Sequence, residues 1–172
     1  MKYKNGRHVC VPGIYRHFKH TEKGEWNNYI YVTLADTKLI TDRQLENFVS
    51  LNNYNCEGLF RVIETETMNE LALVKIGDKV YLTDCKNEIK KAVDYIVYRS
   101  LYDNKIYARP KNMFLSKLPE NRYSECNEKY RFELMMNNLK HCTGSKDSTT
   151  GKIVIKERWT THNLQLLLWG EW

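Results

Sequence analysis

Short runs of period two, each cut off by a turn signal, constrain this chain more than any other feature. The clearest is "DYIVYRSLY" at 94–102. Asp103-Asn104 then turns the chain into "KIYARP", where Pro110, lacking an N–H, stops the ladder. "GIYRHFK" at 13–19 follows Pro12-Gly13 and alternates in the same way, with Ile14, Arg16 and Phe18 on one face and Tyr15, His17 and Lys19 on the other. A polar loop leads to "YIYVTLA" at 29–35, rich in aromatic and β-branched residues, and the pair reads as a hairpin. "GLFRVIETETM" and "ELALVKIGDKVYLTD" add strands, with Gly77-Asp78 as a hairpin turn.

Helical signals are few. Thr41 and Gln44 match a capping box ahead of the stripe Leu45, Phe48 and Val49, which predicts a helix over 42–52. "KNEIKKAVD" at 86–94 reads as one or two helical turns. "KNMFLSKL" reads as a helical turn with Met113, Phe114 and Leu118 inward, and "ELMMNNLKHC" at 133–142 as a helix. "TGSKDSTTGK" reads as a flexible loop, "KIVIKERWTT" as a strand, and "LQLLLWGEW" as a closing strand that buries Trp169. Many short strands with few helices predict a mainly-β (α+β) fold built on a small barrel of the SH3-like or OB-like kind.

A chain of 172 residues with 42% apolar and 28% charged residues has the profile of a soluble globular protein that folds without a disulfide or metal. "LLLW" is the longest apolar run near the C-terminus, far short of the roughly 20 residues of a membrane span, and "MKYKNGRHVCVPG" lacks a signal-peptide core. These features predict a cytoplasmic protein with no membrane partner. Cys10, Cys56, Cys85, Cys126 and Cys142 form no C-x-x-C pair and read as reduced thiols, with Cys142 beside His141 the one candidate for a reactive thiol. The net charge of +6 is concentrated at the start of the chain. Residues 1–23 carry Lys2, Lys4, Arg7, Arg16, Lys19 and Lys23 against Glu22 alone, together with His8, His17 and His20. An anionic partner would meet this end first.

"PGIYRHFKH", "VYRSLYDNKIYARPKNMF" and "YRF", in that order, resemble a small bacterial and phage domain of unknown function. Its pattern opens with Y-R-H-F-K-G, continues through V-x-Y-x-x-L-Y-G and closes with R-P-x-x-M-F and R-F. The matching positions are Tyr15 to Lys19, then Val97, Tyr98, Leu101, Tyr102, Arg109, Pro110, Met113 and Phe114, then Arg131 and Phe132. His20 and Asp103 stand where the family has glycines. The family's short T-E-T-type acidic segment has two candidates here, "ETET" at 64–67 and "KNEIKK" at 86–91. The resemblance implies a small SH3-like barrel and no particular activity. Because the family core is shorter, it divides the chain into a β-barrel core over 1–132 with an insertion near 36–90, and a C-terminal extension over 133–172.

The residues that can carry chemistry form a basic-aromatic set: Tyr15, Arg16, His17, Lys19, Tyr98, Arg99 and Arg109. Arginine forks bind phosphate or carboxylate, and tyrosines stack on bases or donate hydrogen bonds, a pairing that nucleotides and single-stranded nucleic acid both require. Strand alternation places Tyr98 opposite Arg99, and Arg16 opposite Tyr15 and His17, so the seven cannot all line one pocket. Glu64 and Glu66 share a strand face and read as surface acids. No phosphate-binding loop, dinucleotide fingerprint, nucleophile elbow or zinc-protease motif occurs, and His17, His20 and Cys10 lack metal-ligand spacing. The set therefore predicts a non-enzymatic module, without cofactor or metal, that binds a nucleic acid or nucleotide. Two alternatives stand beside it. One is a phage-encoded inhibitor of a host defence system, acting on a host protein or its signal, with Trp159, Leu167, Trp169 and Trp172 available for a protein-binding face. The other is a metal-independent phosphodiesterase or nuclease with His17 as general base.

Overall fold

The structure is a computed structural model that describes residues 7–21, 23–52, 55–84, 93–119, 123, 128–137, 143–146 and 153–156. The elements are β1 (Gly13–His17), β2 (Ile30–Ile40), α1 (Asp42–Asn52), β3 (Cys56–Glu64), β4 (Glu70–Ile76), β5 (Lys79–Thr83), β6 (Asp94–Ser100), β7 (Ile106–Pro110), α2 (Lys111–Phe114), β8 (Phe132–Asn137), β9 (Thr143–Lys146) and β10 (Ile153–Lys156). Of the helical turns expected over 86–94, residues 86–92 lie outside the described residues and Asp94 opens β6; the closing strand over 164–172, and Cys85, Cys126, His141, Cys142, Trp159, Leu167, Trp169 and Trp172 also lie outside them.

One sheet runs β5-β4-β3-β7-β6-β2-β1-β8, and β5 also pairs with β2. That second pairing, parallel at Leu39↔Leu82 and Ile40↔Thr83, closes six strands into a mixed barrel, while β1 and β8 continue the sheet outside it. Among the described residues the protein is therefore mainly β, with a closed six-stranded barrel, two further strands on the same sheet, a separate two-stranded ribbon and two short helices. Residues 36–90, read from the sequence as an insertion, supply β3, β4 and β5, three of the six barrel strands. Among the described residues no helix is long and apolar enough to cross a membrane.

Local rules account for much of this. Gln44 Oε1 accepts the Thr41 N–H at 3.0 Å and Thr41 Oγ1 accepts the Gln44 N–H at 3.3 Å, the reciprocal bonds of a capping box, and α1 starts there. Gly77, at φ 59°, turns β4 into β5, and Asn104, at φ 60°, turns β6 into β7. Gly13 answers to a different need. A Cβ there would stand 3.0 Å from the Cys10 carbonyl and 3.1 Å from the Tyr15 ring, in a turn tied down by Thr33. The buried Thr33 hydroxyl accepts the Gly13 N–H at 2.9 Å and donates to the Cys10 carbonyl at 2.7 Å.

The core has three parts. Leu39, Val62, Leu71, Leu73, Leu82, Tyr95, Val97 and Ala108 fill the barrel. Ile40, Val74 and Ile76 lie on the outer wall, packed with Leu45 of α1. A second, aromatic core lies on the opposite outer wall, where Tyr15, Ile96, Tyr98, Phe114, Leu115 and Phe132 pack together. Phe114 and Phe132 stack at 4.3 Å with planes 9° apart, and each such buried ring contributes about 1.5–3 kcal/mol. β6 is thus buried on both faces, with Tyr95 and Val97 inside the barrel and Ile96 and Tyr98 in the aromatic core.

Four expectations are corrected. Residues 132–137 form a strand, not the start of a helix over 133–142. The free edge of β1 needs backbone partners, and β8 supplies them from Gly13↔Asn137 to His17↔Phe132, overriding the helix preference of Glu133, Leu134 and Met135. Thr143–Lys146, read as loop, pairs with Ile153–Lys156 as a two-stranded ribbon. Of the turn after β7, Phe114 and Leu118 are buried as expected, but Leu115 rather than Met113 is the third. Finally, β1 stops at His17. The His20 N–H bonds the His17 carbonyl at 2.9 Å, and this turn brings Phe18 back beside His17, away from the face it was expected to share with Arg16.

Candidate functional site

The strand wall that faces the aromatic core carries tyrosines in register. Tyr98 of β6 stands opposite Tyr107 of β7, and Tyr31 of β2 opposite Ser100. Tyr31 meets Tyr98 edge-on at 5.2 Å, and Tyr98 lies 6.0 Å from Tyr107. Period two then puts Arg109 on the same face as Tyr107. These side chains floor an open pocket of about 430 Å³. Its rim comes from three connections: Asn28 and Tyr29 before β2, Thr65 and Met68 after β3, and Tyr102 and Asp103 after β6.

The rim is held in costly backbone. Tyr29 (φ 58°), Met68 (φ 62°) and Asn104 (φ 60°) are the non-glycine residues with positive φ among the described residues; the first two line the pocket and the third follows Asp103. Asparagine tolerates this region, but tyrosine and methionine there cost about 1 kcal/mol or more. The 64–68 turn is secured by Glu64, whose buried Oε2 accepts the Glu66 and Thr67 N–H groups at 3.1 and 2.6 Å and the Thr67 hydroxyl at 2.7 Å. At the other end, Asp103 accepts the Lys105 N–H at 3.1 Å and the Tyr107 hydroxyl at 2.9 Å. Burial pushes its carboxyl up, but the hydrogen bonds outweigh burial and hold it below its ordinary value.

Among the described residues, Arg109 is the one cation lining the pocket. Its Nε–H donates to Thr65 Oγ1 at 3.0 Å, its Nη2 lies 3.4 Å from Glu66 Oε1, and its guanidinium carbon sits 5.7 Å from the Phe132 ring centre. Burial drives the Tyr31 and Tyr107 phenols up to about 12, the latter with help from Asp103, and raises Tyr98 further. All three are protonated at neutral pH. Tyr31 and Tyr107 can offer ring faces to the pocket, while Tyr98 is buried and the Tyr107 O–H is already donated to Asp103.

Of the seven residues singled out from the sequence, the pocket brings together Tyr98 and Arg109. Tyr15 and His17 are buried beside it. Tyr15 packs edge-on against Phe114 at 5.1 Å, and its hydroxyl accepts the Cys10 N–H at 2.8 Å. His17 stacks on Tyr29 at 5.8 Å and meets Phe132 edge-on at 4.8 Å. Burial, reinforced by Arg109, Arg131 and Lys19, pushes its imidazole down to about 3. Its Nδ1 accepts the Lys19 N–H at 3.3 Å, so the neutral ring carries its proton on Nε2 and has no lone pair left for a general base. Arg16 points away and forms loose pairs with Glu133 at 3.6 Å and Glu128 at 3.9 Å. Lys19 is exposed, and Arg99, on the barrel-interior face of β6, lies 6.0 Å from the Phe60 ring. The pocket residues not singled out include Tyr29, Tyr31, Thr65 and Tyr107. Same-face spacing marks the pairs 29/31 and 107/109, but nothing in the sequence joins the two strands. Among the described residues no group of three or more His, Cys, Asp or Glu is placed to hold a metal ion.

A family model described as "Protein of unknown function (DUF1653)" matches residues 79–134, about a third of the chain, and this part is similar to that family. It runs from β5 through β6, β7 and α2 into the start of β8, and so contributes Tyr98, Tyr107 and Arg109 to the pocket. Tyr15 to Lys19 and the "ETET" turn lie outside the match, while "KNEIKK" lies within it. No curated protein and no solved structure matches the chain.

Proposed function

We propose that this chain is a non-enzymatic binding module whose tyrosine pocket takes a nucleotide. The observation that carries the reading is Arg109, a cation set on a wall of packed tyrosines inside a concave site. The volume of about 430 Å³ falls in the range of small-molecule sites, roughly 300–1,000 Å³. Tyrosine faces stack on a base, the guanidinium takes a phosphate, and Asp103 accepts from ribose hydroxyls or an exocyclic amine. The Arg109 guanidinium suits one phosphate group. A polynucleotide would need a basic track, and Arg16 and Lys19 lie outside the pocket.

Isothermal titration with adenosine and guanosine 5′-monophosphates, against the bare nucleosides, tests this. At least one monophosphate binds more tightly than its nucleoside, and Arg109→Gln weakens that binding roughly ten-fold or more, the loss expected for a charge-assisted hydrogen bond. Binding that falls steeply with salt and requires an oligonucleotide would point instead to nucleic acid. No heat with any monophosphate at millimolar concentration would sink the nucleotide reading.

A further inference from the structure

The Arg109–Glu66 contact is poorly made for an ion pair that only holds the fold together. At 3.4 Å it is longer than the roughly 2.7–2.9 Å of a charge-assisted bond, and Glu66 is exposed while the Arg109 side chain is mostly buried. Arg109 does not depend on it for position. Its Nε–H is fixed by Thr65 Oγ1 at 3.0 Å, and its face rests toward Phe132. Nor does the turn depend on the Glu66 carboxylate, because the Glu64 carboxylate ties it down through three hydrogen bonds. Glu66 Oε1 also accepts the Thr65 hydroxyl at 3.0 Å, which aims the carboxylate at the outer edge of the guanidinium.

We infer that Glu66 is a displaceable cover on Arg109, occupying the place that the ligand's anionic group takes on binding. The inference rests on the nucleotide reading of the pocket and adds to it a built-in competitor. A ligand must displace a resident carboxylate, which lowers the affinity of every anionic ligand by the same factor. A phosphate dianion, with its greater charge and three oxygens, keeps the stronger hold on Arg109. Glu66 thereby sets a threshold that only ligands with a strong grip on Arg109 pass.

The test compares wild type, Glu66→Gln and Arg109→Gln by titration with adenosine 5′-monophosphate, guanosine 5′-monophosphate and, as a carboxylate probe, benzoate. Glu66→Gln tightens monophosphate binding about three- to ten-fold, the range of a loose pair at a half-exposed site plus the repulsion relieved. It tightens benzoate by a similar factor, and adding Arg109→Gln to Glu66→Gln abolishes both gains. Unchanged or weaker monophosphate binding in Glu66→Gln, with wild type still binding through Arg109, overturns the cover and leaves the nucleotide reading standing. No monophosphate binding in either protein overturns both. Circular dichroism and melting of Glu66→Gln match wild type, and a loss of fold there would show that Glu66 is structural and refute the inference.

Discussion

Placing His17 among aromatic rings has a thermodynamic consequence that can be measured without knowing any ligand. Its imidazole is pushed down to about 3 by burial, then by Arg109, Arg131 and Lys19, against an ordinary value of 6.5. The folded value is depressed, so between these limits the unfolded chain takes up the proton and the folded chain does not. Stability is full above about pH 7 and falls as the pH drops through 6.5 toward 3. Each unit below 6.5 costs about 1.4 kcal/mol, so pH 5 removes about 2 kcal/mol relative to pH 8, a large share of a typical domain's stability. Urea unfolding at pH 8, 6.5, 5.5 and 5 reads this directly. The comparison is with His17→Gln and His17→Phe, which lack the titrating group, so carboxylates titrating in the same window cancel. Both variants lose about 2 kcal/mol less than wild type between pH 8 and pH 5. The reasoning is refuted if the variants show the wild-type pH dependence. It is refuted equally if the His17 ring in the folded protein titrates above pH 5 by NMR.

Two further expectations concern stability. Thr33→Val removes the buried hydroxyl that serves Gly13 and Cys10, stranding a donor and an acceptor at the entry to β1. It costs about 1–3 kcal/mol in urea unfolding, while Thr33→Ser costs less than half of that. Thr41→Ala deletes one of the two capping-box bonds of α1, and because that bond is long and exposed the loss is about 0.5–1 kcal/mol, read as a lower urea midpoint with unchanged slope.

Local signals decided what local energetics decide. The capping box at Thr41 and Gln44, the Gly77-Asp78 turn and the Asp103-Asn104 turn each depend on residues close in the chain, and each forms where those residues predict it. Period two was enough for the strands around them and for the mainly-β class. Alternation states that two faces differ; it does not state which one meets the core. β1 shows this: its Tyr15-His17 face is the buried one, because β8 and α2 bring Phe132 and Phe114 against it, and Arg16 turns outward. In β6 both faces are buried, so the same pattern hid two cores.

Partners distant in the chain decided the rest. Glu133, Leu134 and Met135 favour helix by themselves, yet they lie in a strand because the edge of β1 leaves backbone groups to be satisfied. The pocket depends on distance in the chain even more. Arg109 and Tyr98 were visible as a basic-aromatic pair in one hairpin, but Tyr31 and the 64–68 turn come from elsewhere. They reach the pocket because β2 pairs with β6 and β3 pairs with β7, on either side of the β6–β7 hairpin. The sequence by itself therefore determined the strands from β1 to β7, their turns and the basic and aromatic residue types that line the pocket. Barrel closure, a sum of long-range pairings that no short stretch encodes, decided which of those residues face one another.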